Sequence, residues 1–388
     1  MSSTDYLLDG TVPPAVQSMR SHMLDADINS FVFRNMAQLF ETRPVGRGGP
    51  VTPLPAAHRE LPAYMADGQA HTLEEWFERT FTNAFMVIRD GKVLHESYRN
   101  HAGPQTHFWG ASVSKSVMSL LVGIAIDEGA IASLDDQIVQ YLPELAGTGY
   151  DGVTLKQALQ MRSGVDFDEI LDAENQNPPY VNFQNAIVRN TQRYWEPALT
   201  VGRRHEPGTF FAYCTLDSAV VGWVLTRTTG TTLSALTASR LWQPAGMEFD
   251  AFWMADGKPG VGVEPAGLGF NATMRDFARL GLLMLNKGKV GDRQIIPADW
   301  IEQSTQMHPT EYPAGILGGP GYGFQWWQLD NQDGRAAGFS AVGLGGQFVF
   351  VDPPSKTVIV KMSHFPLERV FEQQEVLAYF HQLLDWSA

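Results

Sequence analysis

Cysteine occurs once in this 388-residue chain, at Cys214. A single thiol excludes an intramolecular disulfide and any metal site built on a cysteine cluster. Basic residues are also scarce: 28 Lys and Arg against 42 Asp and Glu leave a net charge of −14. Such a surface repels a phosphate backbone, so nucleic acid is not an expected partner. No apolar run reaches the roughly 18 residues of a membrane span. The longest candidate, Leu120 to Ile126, contains Gly123 and stops at Asp127-Glu128. The start, MSSTDYLLDG, has neither the basic region nor the apolar core of a secretory signal. The expectation is a cytoplasmic protein with no membrane partner; a homodimer is compatible with the sequence.

Several catalytic signatures are missing as well. HESYR (His95 to Arg99) begins like the zinc motif H-E-x-x-H but lacks the second histidine. There is no G-x-S-x-G elbow and no complete phosphate-binding loop. His, Asp and Glu are scattered without metal-ligand spacing. Neither a metal nor an organic cofactor is expected.

What the chain does have is apolar material: 44% of residues, against 18% charged. That is enough for a packed interior and excludes a largely disordered protein. Residues 1–75 are proline-punctuated and loosely patterned, with FVFRNMAQLF (Phe31 to Phe40) as a short amphipathic piece. They read as an arm wrapped on a domain spanning 76–388, because Phe31, Phe33, Leu39 and Phe40 need burial. Within that domain, AFMVIRDGKVLHESY places two β-rich runs around Asp90-Gly91, a pair suited to a tight hairpin turn. The stretch SVSKSVMSLLVGIAIDEGAI is apolar at helical spacing and closes at Gly129. Short helices follow in LDDQIVQYLPEL and TLKQALQMRSGV, and 165–210 is irregular, as binding loops often are. Helical spacing returns from Tyr213 to Gly230 and in FNATMRDFARLGLLMLNKG (Phe270 to Gly288), with Asn271 or Thr273 as its cap. The C-terminal part reads as strands in GGQFVFVDPPSKTVIVKM and a helix from Glu368 to Trp386. Strands near both ends predict a sheet built from two distant segments, about 76–110 and 270–388, around a mainly helical region of about 111–269.

The sharpest chemical signal is Ser112-Val113-Ser114-Lys115. Positions i and i+3 share a helix face, so Ser112 and Lys115 would meet at the helix N-terminus. Serine becomes a competent nucleophile when a neighbouring base takes its proton, and a desolvated lysine can be that base. The tetrapeptide alone is weak, with roughly 0.4 copies expected by chance from this serine and lysine content. Its setting strengthens it: a hairpin precedes it, an unusually apolar helix follows, and few charges surround Lys115.

With its flanks, the S-x-x-K serine resembles the serine β-lactamase and penicillin-binding superfamily. It resembles most the class C-like branch, including β-lactamase-fold esterases and 6-aminohexanoate-dimer hydrolases. The resemblance runs from about Ala84 to the C-terminus. It rests on WGASVSKSVMSLLVGIAIDEGAI, TLKQALQMRSGVDFDE, FFAYCTLDSAVVGWVLTRTTG, FNATMRDFARLGLLMLNKG, GYGFQWW and AVGLGGQFVFVDP. It implies an α/β fold of β-lactamase type: an antiparallel sheet flanked by helices, with an inserted mainly helical region. It further implies Ser112 as the acylated nucleophile, Lys115 as its proton acceptor and Tyr213, the tyrosine of a Y-x-N or Y-x-S motif, as a proton relay. The backbone N–H groups of Ser112 and Leu344 would form the oxyanion hole.

Two departures from the family pattern bear on substrate. Thr215 stands where the family has Asn or Ser, keeping a hydroxyl and losing an amide. Ala341-Val342-Gly343 replaces the Lys-Thr-Gly of β-lactamases, removing the cation that would hold a substrate carboxylate. Gly343 would still let the strand approach closely. Trp109, Phe167, Tyr180, Trp326 and Trp327 are candidate pocket walls beside Thr215 and Gly343. Asp166, Asp168 and Glu169 follow the Ser163-Gly164 turn, where a carboxylate could meet a substrate amine, but the segment reads rather as a solvated loop. Cys214 is set aside as a nucleophile, having no histidine or helix terminus to activate it. The expected function is hydrolysis of small carboxylic esters or amides through a Ser112 acyl-enzyme. An acyltransferase or β-lactamase on the same fold, or a non-catalytic binding protein, remains the alternative.

Overall fold

A computed structural model describes residues 12–66, 68–167, 169, 171–257, 262–310, 319–329, 338–366 and 372–387. In chain order, the elements that position the site are α1 (Pro14–Ser21), β1 (Thr42–Val45), α2 (Leu73–Arg79), β2 (Thr82–Arg89), β3 (Lys92–Tyr98), β4 (His107–Trp109) and α3 (Val113–Asp127). Then come α4 (Thr215–Thr229), β5 (Ala251–Met254), β6 (Phe270–Thr273), α5 (Met274–Leu285) and α6 (Ala298–Ser304). The C-terminal part holds β7 (His308–Pro309), β8 (Gly321–Tyr322), β9 (Trp327–Gln328), β10 (Phe339–Gly343), β11 (Gln347–Asp352), β12 (Thr357–Ser363) and α7 (Glu372–Asp385).

The hairpin at Asp90-Gly91 forms as the sequence predicts. Both turn residues have positive φ, 48° and 73°, the geometry that matches strand twist in a two-residue turn. β2 then pairs with β12, so the chain's early hairpin completes a sheet whose other strands come from the last hundred residues. The order is β7-β8-β9-β10-β11-β12-β2-β3, antiparallel throughout. Register sorts its two faces, since side chains alternate along a strand. Phe348, Phe350 and Phe85 point one way, where Phe380 of α7 meets all three. Trp76 of α2 packs edge-on to Phe85 on that side, 5.2 Å between ring centres. Val349 and Val358 point the other way and receive α5 at Gly281. With helices on both faces, β2 carries an unbroken apolar run from Ala84 to Ile88 and is buried at all but its last position.

Between this sheet and α4 lies α3, the expected S-x-x-K helix. Every residue from Val113 to Ala125 is buried, which explains why its apolar pattern shows little sidedness. Its hydroxyls are satisfied: Ser116 donates to Gln325 O at 2.6 Å and Ser119 to Phe324 O at 2.8 Å. Gly123 leaves room for the Trp300 indole of α6.

A second, four-stranded sheet in the order β1-β5-β6-β4 was not foreseen. It changes the reading of FNATMRDFARLGLLMLNKG: Phe270 to Thr273 form β6, and the helix begins only at Met274. Asn271 and Ala272 pair with Trp109 and Phe108 of β4, and the Thr273 hydroxyl caps the helix by accepting from Asp276 N at 3.2 Å. Of the two candidate caps, the second is the one used. The arm residues Phe33, Leu39 and Phe40 are buried, whereas Phe31, on the outer side of the Asn29–Val32 helix, is 50% exposed. The last helix is described from Glu372, so the expected start at Glu368 lies outside the described residues. Among the described residues no helix is long and apolar enough to cross a membrane.

The contact of Gly123 with Trp300 is directly testable. An alanine there would normally gain about 1 kcal/mol of helix propensity, yet its Cβ would overlap the indole ring. Gly123→Ala is therefore expected to destabilise the protein by about 1–3 kcal/mol in urea unfolding; a stabilised variant would show that α3 and α6 are not packed this tightly.

Candidate active site

The turn that leads into α3 is built from backbone constraints. Ala111 has φ of 46°, a left-handed conformation that non-glycine residues adopt only when surroundings enforce it. Three bonds enforce it here. Gly110 N donates to Phe270 O at 2.9 Å, Ser114 Oγ donates to Ala111 O at 2.6 Å, and Phe270 N donates to Ser114 Oγ at 2.8 Å. The chain thus reverses from β4 into the helix with Ser112 at the N-cap position, half-buried.

One turn on, Lys115 is 1% exposed. Its Nζ donates to Ser112 Oγ at 2.9 Å, Thr215 Oγ1 at 2.8 Å and Gly267 O at 2.9 Å. These three acceptors use all three ammonium donors. Burial lowers the pKa to about 8, against the opposing pull of Glu169; an ammonium in a dry site loses hydration that its partners replace only in part. The network also fixes direction. The Gly267 carbonyl can only accept, and the Thr215 hydroxyl hydrogen is engaged by Glu169 Oε1. Once Lys115 loses a proton, its lone pair is left facing Ser112, whose hydroxyl becomes the donor.

Tyr213 lies on the approach to α4, with Lys115 Nζ 4.9 Å from its ring centre. Its ring packs on Trp327 at 5.3 Å and edge-on to Tyr322 at 6.0 Å. Thr215 opens α4, and its backbone N–H, one of the donors a helix start leaves unpaired, goes to Glu169 Oε2 at 2.7 Å. The buried Tyr194 phenol faces the same cluster, its pKa pushed up by burial and by the nearby Glu169. Across the cleft, a Cβ on Gly343 would overlap the Gly110 carbonyl. The end of β10 therefore abuts the turn before Ser112, with Leu344 next in the chain and 36% exposed.

The structure thus brings Ser112, Lys115, Tyr213 and Thr215 together, with Trp327 behind Tyr213 and Gly343 opposite. Trp109 is a buried wall residue; its Nε1 donates to Leu268 O at 2.6 Å, and its ring meets Phe33 at 5.0 Å. Trp326 points away, edge-on to Phe339 at 5.6 Å. Phe167 is buried and Tyr180 half-buried, and among the described residues no hydrogen bond or ring contact links either to Ser112, Lys115 or Tyr213. Asp166 is exposed and pairs with Arg204, as a solvated loop would; Asp168 lies outside the described residues. Cys214 is buried, and its thiol is pushed well above its usual pKa by burial and by Asp217 and Glu169, which disfavours the thiolate a nucleophile needs.

Three residues around the lysine were given no place in its network by the sequence. Glu169, grouped there with a solvated loop, bonds Thr215 through both oxygens, and burial raises its pKa against the pull of Lys115 and the Thr215 bonds. Tyr194 stands in an irregular stretch with no periodicity to mark it. Gly267 had a readable signal: a side chain there would meet Thr215, Ser218 and Lys115 Nζ, so only glycine leaves its carbonyl free to accept from the lysine.

Comparison with known proteins agrees with this geometry. Residues 78–378 match the profile of the Beta-lactamase family. The 6-aminohexanoate-dimer hydrolase of Paenarthrobacter ureafaciens is 31% identical over 359 residues, 88% of this chain and 87% of that protein. Among solved structures, a Bacillus anthracis protein provisionally identified as a 6-aminohexanoate-dimer hydrolase superposes with a TM-score of 0.77 at 24% identity, covering 93% of this chain and 96% of its own. A penicillin-binding protein from Bacillus halodurans gives 0.61 at 18% identity, over 79% and 99%. The eight-stranded antiparallel sheet, the buried S-x-x-K helix and these matches agree: the chain belongs to the Beta-lactamase family and is a hydrolase.

Proposed function

We propose that this hydrolase cleaves small linear amides or esters through an acyl-enzyme on Ser112. The observation that carries this reading is the 2.9 Å contact between Ser112 Oγ and a buried Lys115 Nζ whose other donors are tied to Thr215 and Gly267. Neutral Lys115 takes the hydroxyl proton as Ser112 Oγ bonds to the substrate carbonyl carbon. The carbonyl oxygen becomes an oxyanion and is held by the backbone N–H groups of Ser112 and Leu344. Tyr213 gives its phenolic proton to the leaving nitrogen or oxygen as the scissile bond breaks, and is reprotonated from Lys115. Water then repeats the sequence on the acyl carbon, returning the proton to Ser112 and releasing the acid.

Substrate class follows from chemistry at the rim. The Lys-Thr-Gly cation of β-lactamases is replaced by Ala341-Val342-Gly343, which disfavours a β-lactam carboxylate. The name of the Paenarthrobacter relative supports a linear amide of the 6-aminohexanoate-dimer type.

Two outcomes test the reading. With p-nitrophenyl butyrate, the intact mass of the parent should show an acyl adduct or the ester should turn over steadily. Ser112→Ala and Lys115→Ala should each lose about 10³-fold or more in kcat/KM; parental turnover by Ser112→Ala would remove Ser112 as nucleophile. Because Lys115 must be neutral to accept the proton, activity is present above its pKa and lost below it. The acid limb of kcat/KM should therefore have its midpoint near pH 8 and fall about tenfold per unit at lower pH.

A further inference from the structure

We propose that Glu169 is a positioning residue of the reaction: through Thr215 it fixes the direction of the Lys115–Ser112 hydrogen bond, and it keeps a negative charge beside the Lys115 amine. The inference rests on Ser112 and Lys115 acting as nucleophile and base.

The geometry is specific. Glu169 accepts from both the backbone N–H and the hydroxyl of Thr215, which locks the Thr215 side chain and aims its oxygen lone pairs away from the carboxylate. One lone pair receives Lys115 Nζ at 2.8 Å. Thr215 has a single hydroxyl hydrogen. While Glu169 holds it, Thr215 cannot donate to the neutral lysine, and the lysine lone pair is available to Ser112 alone. This answers the family departure at this position: where an amide would supply its own fixed donor and acceptor, a hydroxyl can rotate, and the carboxylate stops it.

The charge acts on the same amine. The groups facing this cluster are Lys115 of α3, Tyr213, Cys214 and Asp217 of the α4 approach and first turn, Tyr194 of the irregular segment and Tyr322 of β8. Lys115 is the cation among them. Asp217 is turned elsewhere: it accepts from the Tyr150 phenol at 2.8 Å, and burial pushes its pKa up to about 7. Glu169 is the carboxylate hydrogen-bonded into the lysine network, and its charge raises the Lys115 pKa that burial lowers.

Glu169→Gln separates these effects from simple support. Its amide oxygen can still accept from Thr215 N, but its amide hydrogens would donate to Thr215 Oγ1 and release the threonine hydrogen toward Lys115. In p-nitrophenyl butyrate hydrolysis followed from about pH 5 to 10, the variant should lose about tenfold or more of the plateau kcat/KM. Its acid-limb midpoint should fall by about one pH unit, because the neutral amine is no longer penalised by a nearby carboxylate. Glu169→Asp, which keeps the charge, should keep the parental midpoint. Thr215→Val approaches the link from the other side and should lower the plateau by about tenfold or more. An unchanged midpoint in Glu169→Gln overturns the proposal whatever its rate, as does parental activity in Thr215→Val, which remains informative should Glu169→Gln not fold. Ser112→Ala run alongside keeps the two readings apart: if it is inactive and Glu169→Gln is parental, only the role of Glu169 falls, whereas an active Ser112→Ala removes the Ser112 mechanism itself.

Discussion

A lysine ammonium with almost no exposure has to find three acceptors inside the protein, and the way this chain meets that demand organises everything around the cleft. One acceptor is its own helix neighbour, Ser112. The second opens a helix 100 residues later, and the third is a carbonyl 152 residues away, just before β6. An uncompensated buried charge costs several kcal/mol, a large share of the margin by which a protein is folded. Segments that supply the acceptors are therefore constrained together: α3 against α4, and both against the loop that enters the second sheet. The price of that constraint is glycine at 267, where a Cβ would strike Thr215.

How much of this could be read beforehand depends on the range of each interaction. The α3 helix and the Asp90-Gly91 hairpin were legible because their determinants are local: apolar density over fifteen residues, and two turn residues able to take positive φ. The distant halves of the main sheet were legible because β2, β11 and β12 are long and strongly apolar. The second sheet was not, since its strands are three or four residues long and β1 and β5 pair across some two hundred positions. In Phe270 to Thr273 the capping residues that announce a helix also end a strand, and pattern alone cannot divide the two. Glu169 was hidden for the same reason. Nothing adjacent distinguishes it from Asp166, which does lie in solvent with an arginine; only the fold reveals that one reaches the start of α4 and the other does not.

The arm adds a constraint that the family profile, beginning at residue 78, leaves out. Phe33 O accepts from Trp109 N at 2.8 Å, three residues before Ser112. The Phe33 ring also fills the space that Gly345 leaves by having no Cβ, next to the Leu344 amide. Arg20, buried and stacked on Phe40 at 4.2 Å, donates to the carbonyls of Leu39, Ile187 and Val188. The arm therefore ties together the strand before Ser112, the loop opposite it and the segment around Ile187 and Val188. Its burial requirement was legible in Phe33, Leu39 and Phe40, but its partners were not.

These two kinds of constraint divide the site. The side that holds Ser112 and Lys115 is fixed by backbone and short polar contacts: the strained turn at Ala111, the glycine contact between Gly110 and Gly343, and the three bonds of Lys115. Each needs a particular small or polar residue at a particular place, so it leaves a trace in sequence. The other side is bordered by the arm at Phe33 and by aromatic residues such as Tyr322 and Trp327, whose positions follow from packing among one another. Many apolar combinations fill such a space equally well, so the sequence there carries the requirement to be buried without the shape that results. The polar network is accordingly specified residue by residue, while the shape of the cleft is a property of the assembled fold.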